Sequence, residues 1–116
     1  MAVKKVQNAY YITGDMERAV AFYRDALGLT LAFQDGGKWA QMKAGDSNFA
    51  LSSADEGAPG AVGATVVIEV DDLAAAKAQL AAHGAEITGE RQMGSGQALT
   101  FRDPDGNIVQ LFQRPG

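Results

Sequence analysis

The sequence predicts an α+β fold made of two consecutive strand–helix–strand–strand–strand (βαβββ) units, and three observations predict it. Two Asp-capped helical stretches begin 57 positions apart, at Asp15 and Asp72, each after a β-branched run and each closed by a glycine. Both are followed by short apolar runs separated by glycine-rich turns, as in strands joined by hairpins. Between the two lies Ala54–Gly63 (ADEGAPGAVG), a small-residue stretch with Pro59 that reads as a linker, leaving modules of about 1–53 and 64–116 in one domain.

Taken in order, Val3–Thr13 is rich in β-branched and aromatic residues and predicts the first strand. Asp15 can accept the free N–H groups of a first helical turn, and Met16, Ala19, Val20, Tyr23 and Leu27 then recur at helical spacing until Gly28 stops them. Leu29–Phe33, Lys38–Lys43 and Phe49–Ser52 are short strand candidates, parted by Asp35-Gly36-Gly37 and Ala44-Gly45-Asp46. The order then restarts with a strand at Thr65–Val70, the Asp72 cap, an Ala-rich helix over Leu73–His83 and Gly84 as its stop. Ala85–Thr88, Glu90–Met93, Gln97–Phe101 and Ile108–Phe112 complete the second unit, with turns at Gly94-Ser95-Gly96 and Asp103-Pro104-Asp105-Gly106.

Composition excludes several functions. The 116 residues carry 10 Lys and Arg against 14 Asp and Glu, a net charge of −4, which argues against a broad nucleic-acid surface; Lys4 and Lys5 alone are too few for one. Without cysteine the chain has no disulfide, thiolate nucleophile or iron–sulfur ligand. Its apolar runs fall short of the ~20 residues of a membrane helix, and its start does not resemble a signal peptide. A cytoplasmic protein without membrane or nucleic-acid partners is the expectation.

Alternation assigns faces. Ala9, Tyr11 and Thr13 share one side of the first strand, and Asn8, Tyr10 and Ile12 the other. In the restart strand Val66, Ile68 and Val70 oppose Thr65, Val67 and Glu69; in the last, Val109 and Leu111 oppose Ile108, Gln110 and Phe112. The uniformly apolar sets suit packing under a helix, the mixed ones the lining of a cavity.

The runs GDMERAVAFYRDALGL (Gly14–Leu29), VIEVDDLAAAKAQLAAHGA (Val67–Ala85) and FRDPDGNIVQLFQ (Phe101–Gln113) resemble the vicinal oxygen chelate superfamily, which includes glyoxalase I, extradiol dioxygenases, and fosfomycin and bleomycin resistance proteins. The resemblance covers nearly the whole chain. It implies paired βαβββ modules whose U-shaped mixed sheet surrounds a cavity, two chains in a homodimer, Phe22 and Tyr23 anchoring the first helix on its sheet, and Asp103–Gly106 turning into the last strand. It also implies where metal-dependent members hold their ion: Asn8, Thr65, Gln110 and a position within Ala50–Ser52. Divalent ions need several converging carboxylate or imidazole donors, and these residues supply none, so no metal or other cofactor is expected. The Lewis-acid step of lyases and oxygenases in the family is correspondingly disfavoured.

The remaining chemical groups have structural readings. His83, in the last helical turn, complements the helix dipole. The Asp103 and Asp105 pair is explained by a turn. Ser52, Ser53 and Ser95 have no histidine to form a triad, and Gly94-Ser95-Gly96 lacks the lysine of a phosphate loop. Arg102 reads as a solvent-facing strand end with an anion-anchoring alternative. Glu69 is the weak catalytic candidate; on a cavity face its carboxylate needs a cationic ligand, Arg102 or water. Tyr10 and Trp39 could stack on a planar ligand.

The preferred function is metal-independent binding of a small molecule, a drug or metabolite, as in the bleomycin-resistance branch. A concave, mostly apolar surface with a few polar groups is what recognition requires, and the ligand-binding candidates are Asn8, Tyr10, Trp39, Val67, Glu69, Thr100 and Gln110. The mild acidity favours a neutral or cationic ligand. The alternative is a glyoxalase-like lyase, isomerase or dioxygenase using a divalent metal or Glu69 as acid–base. A ferredoxin-like regulatory module is disfavoured, because about eight strands are counted where that fold usually has four.

Overall fold

The computed structural model describes residues 1–2, 4–60 and 63–115. Val3 of the expected first strand, Ala61 and Val62 of the linker, and Gly116 lie outside the described residues. The chain runs β1 (Ala9–Ile12), α1 (Met16–Ala21), β2 (Thr30–Asp35), β3 (Trp39–Ala44), β4 (Ser47–Ser52), β5 (Val66–Glu69), α2 (Leu73–Ala82), β6 (Glu86–Met93), β7 (Gly96–Arg102) and β8 (Ile108–Gln113). Two four-stranded mixed sheets result, ordered β1-β4-β3-β2 and β5-β8-β7-β6. In each the first strand runs parallel to the last, and the other pairs are antiparallel. Eight strands in two sheets rule out the four-stranded ferredoxin-like alternative.

Both helices start as the caps require. Asp15 Oδ1 accepts the Arg18 N–H at 3.1 Å and Asp72 Oδ1 the Ala75 N–H at 3.0 Å. Both end at a left-handed glycine, Gly28 (φ 76°) and Gly84 (φ 73°). The first helix departs from simple periodicity, since α1 continues into a π-helical segment over Phe22–Ala26. The wider turn buries Phe22, Tyr23 and Ala26 together.

The first strand is shorter than its composition predicts. Ala9 pairs with Phe49, but among the described residues those before it find only the Asn48 side chain, whose Nδ2 donates to the Gln7 carbonyl at 3.1 Å. Propensity without a ladder partner leaves Lys4–Asn8 outside the sheet. Conversely, Gly89, expected to divide two short strands, lies inside one continuous β6, because β7 runs beside it throughout with a register shift between Ile87 and Gly89.

One hydrophobic core joins both sheets and both helices. Tyr11, Met42, Phe49 and Leu51 of the first sheet cluster with Leu99, Phe101, Val109 and Leu111 of the second, and with Leu73 and Leu80 of α2. The π-helical segment lies between the sheets: the Tyr23 ring packs on Phe49 at 4.7 Å, and that of Phe22 on Phe101 at 6.2 Å. Phe22 and Tyr23 thus anchor the helix to both sheets. Polar bonds reinforce the seam. Tyr11 Oη donates to the Ile108 carbonyl (2.6 Å) and accepts the Val66 N–H (2.8 Å). Among the described residues no helix is long and apolar enough to cross a membrane.

Candidate functional site

Each sheet turns one face to the shared core, so the opposite faces point outward and away from each other. On the first sheet the open face carries Tyr10, Ile12, Trp39, Gln41, Lys43, Asn48, Ala50 and Ser52, by alternation and register. On the second it carries two cross-strand rows: Val67, Gln110, Thr100 and Gly89, then Glu69, Phe112, Ala98 and Arg91.

The sequence-derived candidates therefore divide between two surfaces. Tyr10 and Trp39 touch, with ring centroids 5.3 Å apart, and half-buried Asn8 precedes them at the start of β1. Trp39 Nε1 donates to Gln41 Oε1 at 3.3 Å, and Tyr10 Oη accepts the Ala58 N–H at 2.9 Å. Val67, Glu69, Thr100 and Gln110 share the second face, where Gln110 Nε2 donates to Thr100 Oγ1 at 3.1 Å. One chain does not bring the two groups together.

Three details escaped the sequence reading. Glu69 meets neither Arg102 nor an unpaired environment: Arg114 Nε lies 3.0 Å from its Oε2, with both side chains exposed. Arg102 instead reaches Glu86 (3.5 Å) and the Gly106 carbonyl (3.2 Å). A register shift between Leu31 and Phe33 turns Phe33 to the open face, leaving it 56% exposed. Only Arg114's position beyond the last strand hinted at the first, and nothing in the letters announces the bulge.

The linker reading also changes. Ala54–Glu56 form a turn against the first open face, where Lys38 pairs with Glu56 at 3.8 Å and Ile12 fills the space beside Gly57. This cover, with Tyr10 and Trp39, buries Ser52 and Ala50. Ser52 Oγ donates to the Ser53 carbonyl, and Ser53 Oγ to Asp55, so both hydroxyls are held locally. His83 caps the end of α2 with Nδ1 3.0 Å from the Gln79 carbonyl.

Net charge misleads about the open faces. Around them stand five cations (Lys38, Lys43, Arg91, Arg102, Arg114) and five anions (Asp35, Asp55, Glu56, Glu69, Glu86), so the faces carry no net charge. The chain's acidic excess lies on other surfaces and gives no steering of cations toward these faces.

The profile of the Glyoxalase/Bleomycin resistance protein/Dioxygenase superfamily matches residues 5–111. The chain belongs to that superfamily. Solved members share its fold. The antibiotic binding protein TnmS3 from Streptomyces sp. CB03234 is 31% identical, covers 99% of each chain and superposes with a TM-score of 0.79. The bleomycin-binding protein of Streptomyces verticillus, solved with copper(II)-bleomycin, is 25% identical over 98% of this chain and 100% of its own, with a TM-score of 0.72. Lactoylglutathione lyase from Agrobacterium tumefaciens, at 23% identity, 97% and 96% coverage and a TM-score of 0.78, matches in fold. Comparison with curated proteins gives no match.

The superfamily's metal-dependent members raise the question of an ion here, and the donor set does not fit one. Asn8 and Gln110 offer amides, Thr65 an exposed hydroxyl, and Ala50–Ser52 a methyl, a core leucine and a hydroxyl bonded to its neighbour. Neutral donors divided between two diverging faces do not replace converging carboxylates and imidazoles. Among the described residues no three His, Cys, Asp or Glu side chains are placed to share an ion.

Proposed function

We propose that this chain is a metal-independent, small-molecule binding protein that works in the cytoplasm as a homodimer. In this reading each cleft is made from the Tyr10 and Trp39 face of one copy and the Val67, Glu69, Thr100 and Gln110 face of the other. The observation that carries it is the divergence of the two open faces from one common core. Each is a half-site: an aromatic pair on one, a shallow floor of amide, hydroxyl and apolar groups on the other, and a second copy is what can oppose them. A planar drug or metabolite fits such a surface, stacking on Trp39 and Tyr10. The names of two relatives, an antibiotic binding protein and a bleomycin-binding protein, support the same reading.

A thermal-shift screen of planar antibiotics and aromatic metabolites tests it, with Trp39, the chain's one tryptophan, reporting contact through its fluorescence. The expected result is a stabilising ligand that quenches Trp39 and loses its effect in Trp39→Ala and Glu69→Ala. If both variants retain the full shift, the cleft is misplaced. Light scattering should give a species near twice the 12.1 kDa chain. Stoichiometric transition metal in protein purified without chelator would overturn the metal-free reading.

A further inference from the structure

A groove of about 570 Å³ shares no residue with the ligand candidates of either open face. On one side lie Arg18, Ala21, Phe22 and Asp25, at the spacing of one helix face. On the other lie residues 83–86, where α2 passes into β6, and Arg102, Asp103, Pro104 and Gly106 of the turn before β8. The groove therefore sits on the seam between the modules. Buried Phe22, backed by Tyr23 and Phe101, forms its apolar lining with Ala21, Ala85 and Pro104. Its volume is in the range that holds small organic ligands.

Its charged groups are of both signs, and two cations have donors to spare. Asp105 accepts the Thr13 hydroxyl at 2.6 Å and the Gly14 N–H at 3.0 Å, so the Arg18 contact at 3.4 Å is the longest of the three. Arg102 donates to the Gly106 carbonyl at 3.2 Å and lies 3.5 Å from Glu86. A guanidinium has five N–H donors, and most of these stay unbonded among the described residues. Glu86, with a 69% exposed side chain, is held by Arg102 alone among the described residues. The other carboxylates are committed: Asp25 to Arg24 at 2.9 and 3.1 Å, and Asp103 to Tyr23, the Asn107 amide and backbone N–H groups. Three cations (Arg18, Arg24, Arg102) against four anions (Asp25, Glu86, Asp103, Asp105) do not attract a simple anion. A simple cation meets two guanidinium groups. A ligand carrying both charges satisfies the groove.

We propose that this groove is a second binding site, for a free α-amino acid with a large apolar side chain. Its carboxylate takes the spare donors of Arg102 and Arg18, its ammonium takes Glu86, and its side chain lies against Phe22, Ala21, Ala85 and Pro104. The two charges of a free amino acid stand about 2.5 Å apart, nitrogen to carboxyl carbon, and the Arg102–Glu86 pair, 3.5 Å across, opposes them head to tail. A peptide does not meet this condition, because its charges sit at opposite ends. The bound amino acid bridges α1 of the first module and the turn of the second, so it stabilises the seam. The site is independent of the homodimer and the cleft proposed above.

Titration of ¹⁵N-labelled protein with L-phenylalanine, followed by amide NMR shifts, tests the site. Saturable shifts centred on Ala21, Phe22, Ala85 and Gly106 are expected, together with a raised melting temperature. L-Phenylalaninamide, which lacks the carboxylate, and N-acetyl-L-phenylalanine, which lacks the ammonium, should each bind about tenfold more weakly, and so should glycine, which lacks the side chain. Arg102→Gln and Glu86→Gln should each weaken L-phenylalanine by about tenfold while leaving the unliganded melting temperature nearly unchanged, since the pair is exposed. Glu86→Gln should also abolish the preference for L-phenylalanine over its N-acetyl form, a change that a purely structural role would not produce. No saturable shift up to the solubility limit of L-phenylalanine would overturn the proposal, and so would equal binding of the amide and N-acetyl forms. Shifts centred on Tyr10 and Trp39 would also overturn it, by placing the amino acid on the open face. Failure of the planar-ligand screen would remove the cleft and leave this site standing.

Discussion

The Tyr23 phenol donates to Asp103 Oδ2 at 2.8 Å, joining side chains 80 positions apart in the two halves of the chain. Asp103 is itself buried, and its two oxygens also accept the N–H groups of Asp105 (2.9 Å) and Asn107 (2.8 Å) and the Asn107 amide (2.9 Å). Next to it Asp105 accepts from Thr13 Oγ1 at 2.6 Å and from the Gly14 N–H at 3.0 Å. The turn before the last strand is thus also the clasp between modules. Tyr23→Phe should cost about 1–3 kcal/mol in urea unfolding, since a buried carboxylate loses a donor. No change in midpoint would show that the bond contributes nothing.

Alkaline pH tests the same clasp. Burial, reinforced by the Asp103 carboxylate, pushes the Tyr23 phenol far above its ordinary value of 10.0, and burial likewise raises Tyr11. The folded form therefore keeps protons that the unfolded chain releases near pH 10. Stability from these groups is complete below that value and falls as pH rises above it. Melting temperature should decline above pH 10, less steeply in Tyr23→Phe, as differential scanning calorimetry can measure.

Gly96 opens β7 with φ at 144°, and a Cβ there would run into the Gln113 carbonyl oxygen and come within 3.0 Å of the Phe112 ring. Gly96→Ala should destabilise by ~2 kcal/mol or more. Gly89→Ala, with no atom within 4 Å of the added methyl, is the control expected to leave the thermal midpoint nearly unchanged.

The Glu69–Arg114 pair is exposed on both sides, so Arg114→Ala should change stability by less than ~1 kcal/mol. Under the proposed cleft it should nevertheless change ligand discrimination, because Glu69 loses its counter-charge. Titration with a cationic and a neutral planar dye, followed through Trp39, should show the cationic dye gaining affinity. Equal affinities before and after would remove Glu69 from the cleft.

Much of this was legible in the letters because it is local. Asp15, Asp72, Gly28 and Gly84 mark the helices through capping and left-handed backbone, which a few neighbouring residues decide. Period-two alternation likewise separated Tyr11 from Tyr10 and Ile68 from Val67. The site was legible only in part: Asn8, Tyr10, Val67, Glu69 and Gln110 were assigned strand faces and Trp39 and Thr100 were not, and no local signal says which faces will meet, that Arg114 returns to Glu69, or that a register shift exposes Phe33.

By itself, then, the sequence determined the order of elements, the superfamily they belong to and the faces of the first, restart and last strands, since backbone preference and side-chain periodicity act over a few positions. The tertiary structure alone decided that the π-helical segment Phe22–Ala26 lies between the sheets, that Tyr23 closes on Asp103, and that the two candidate faces point apart. Those outcomes depend on contacts between residues far apart in the chain, where burial and hydrogen-bond satisfaction choose among packings that local propensity leaves equal.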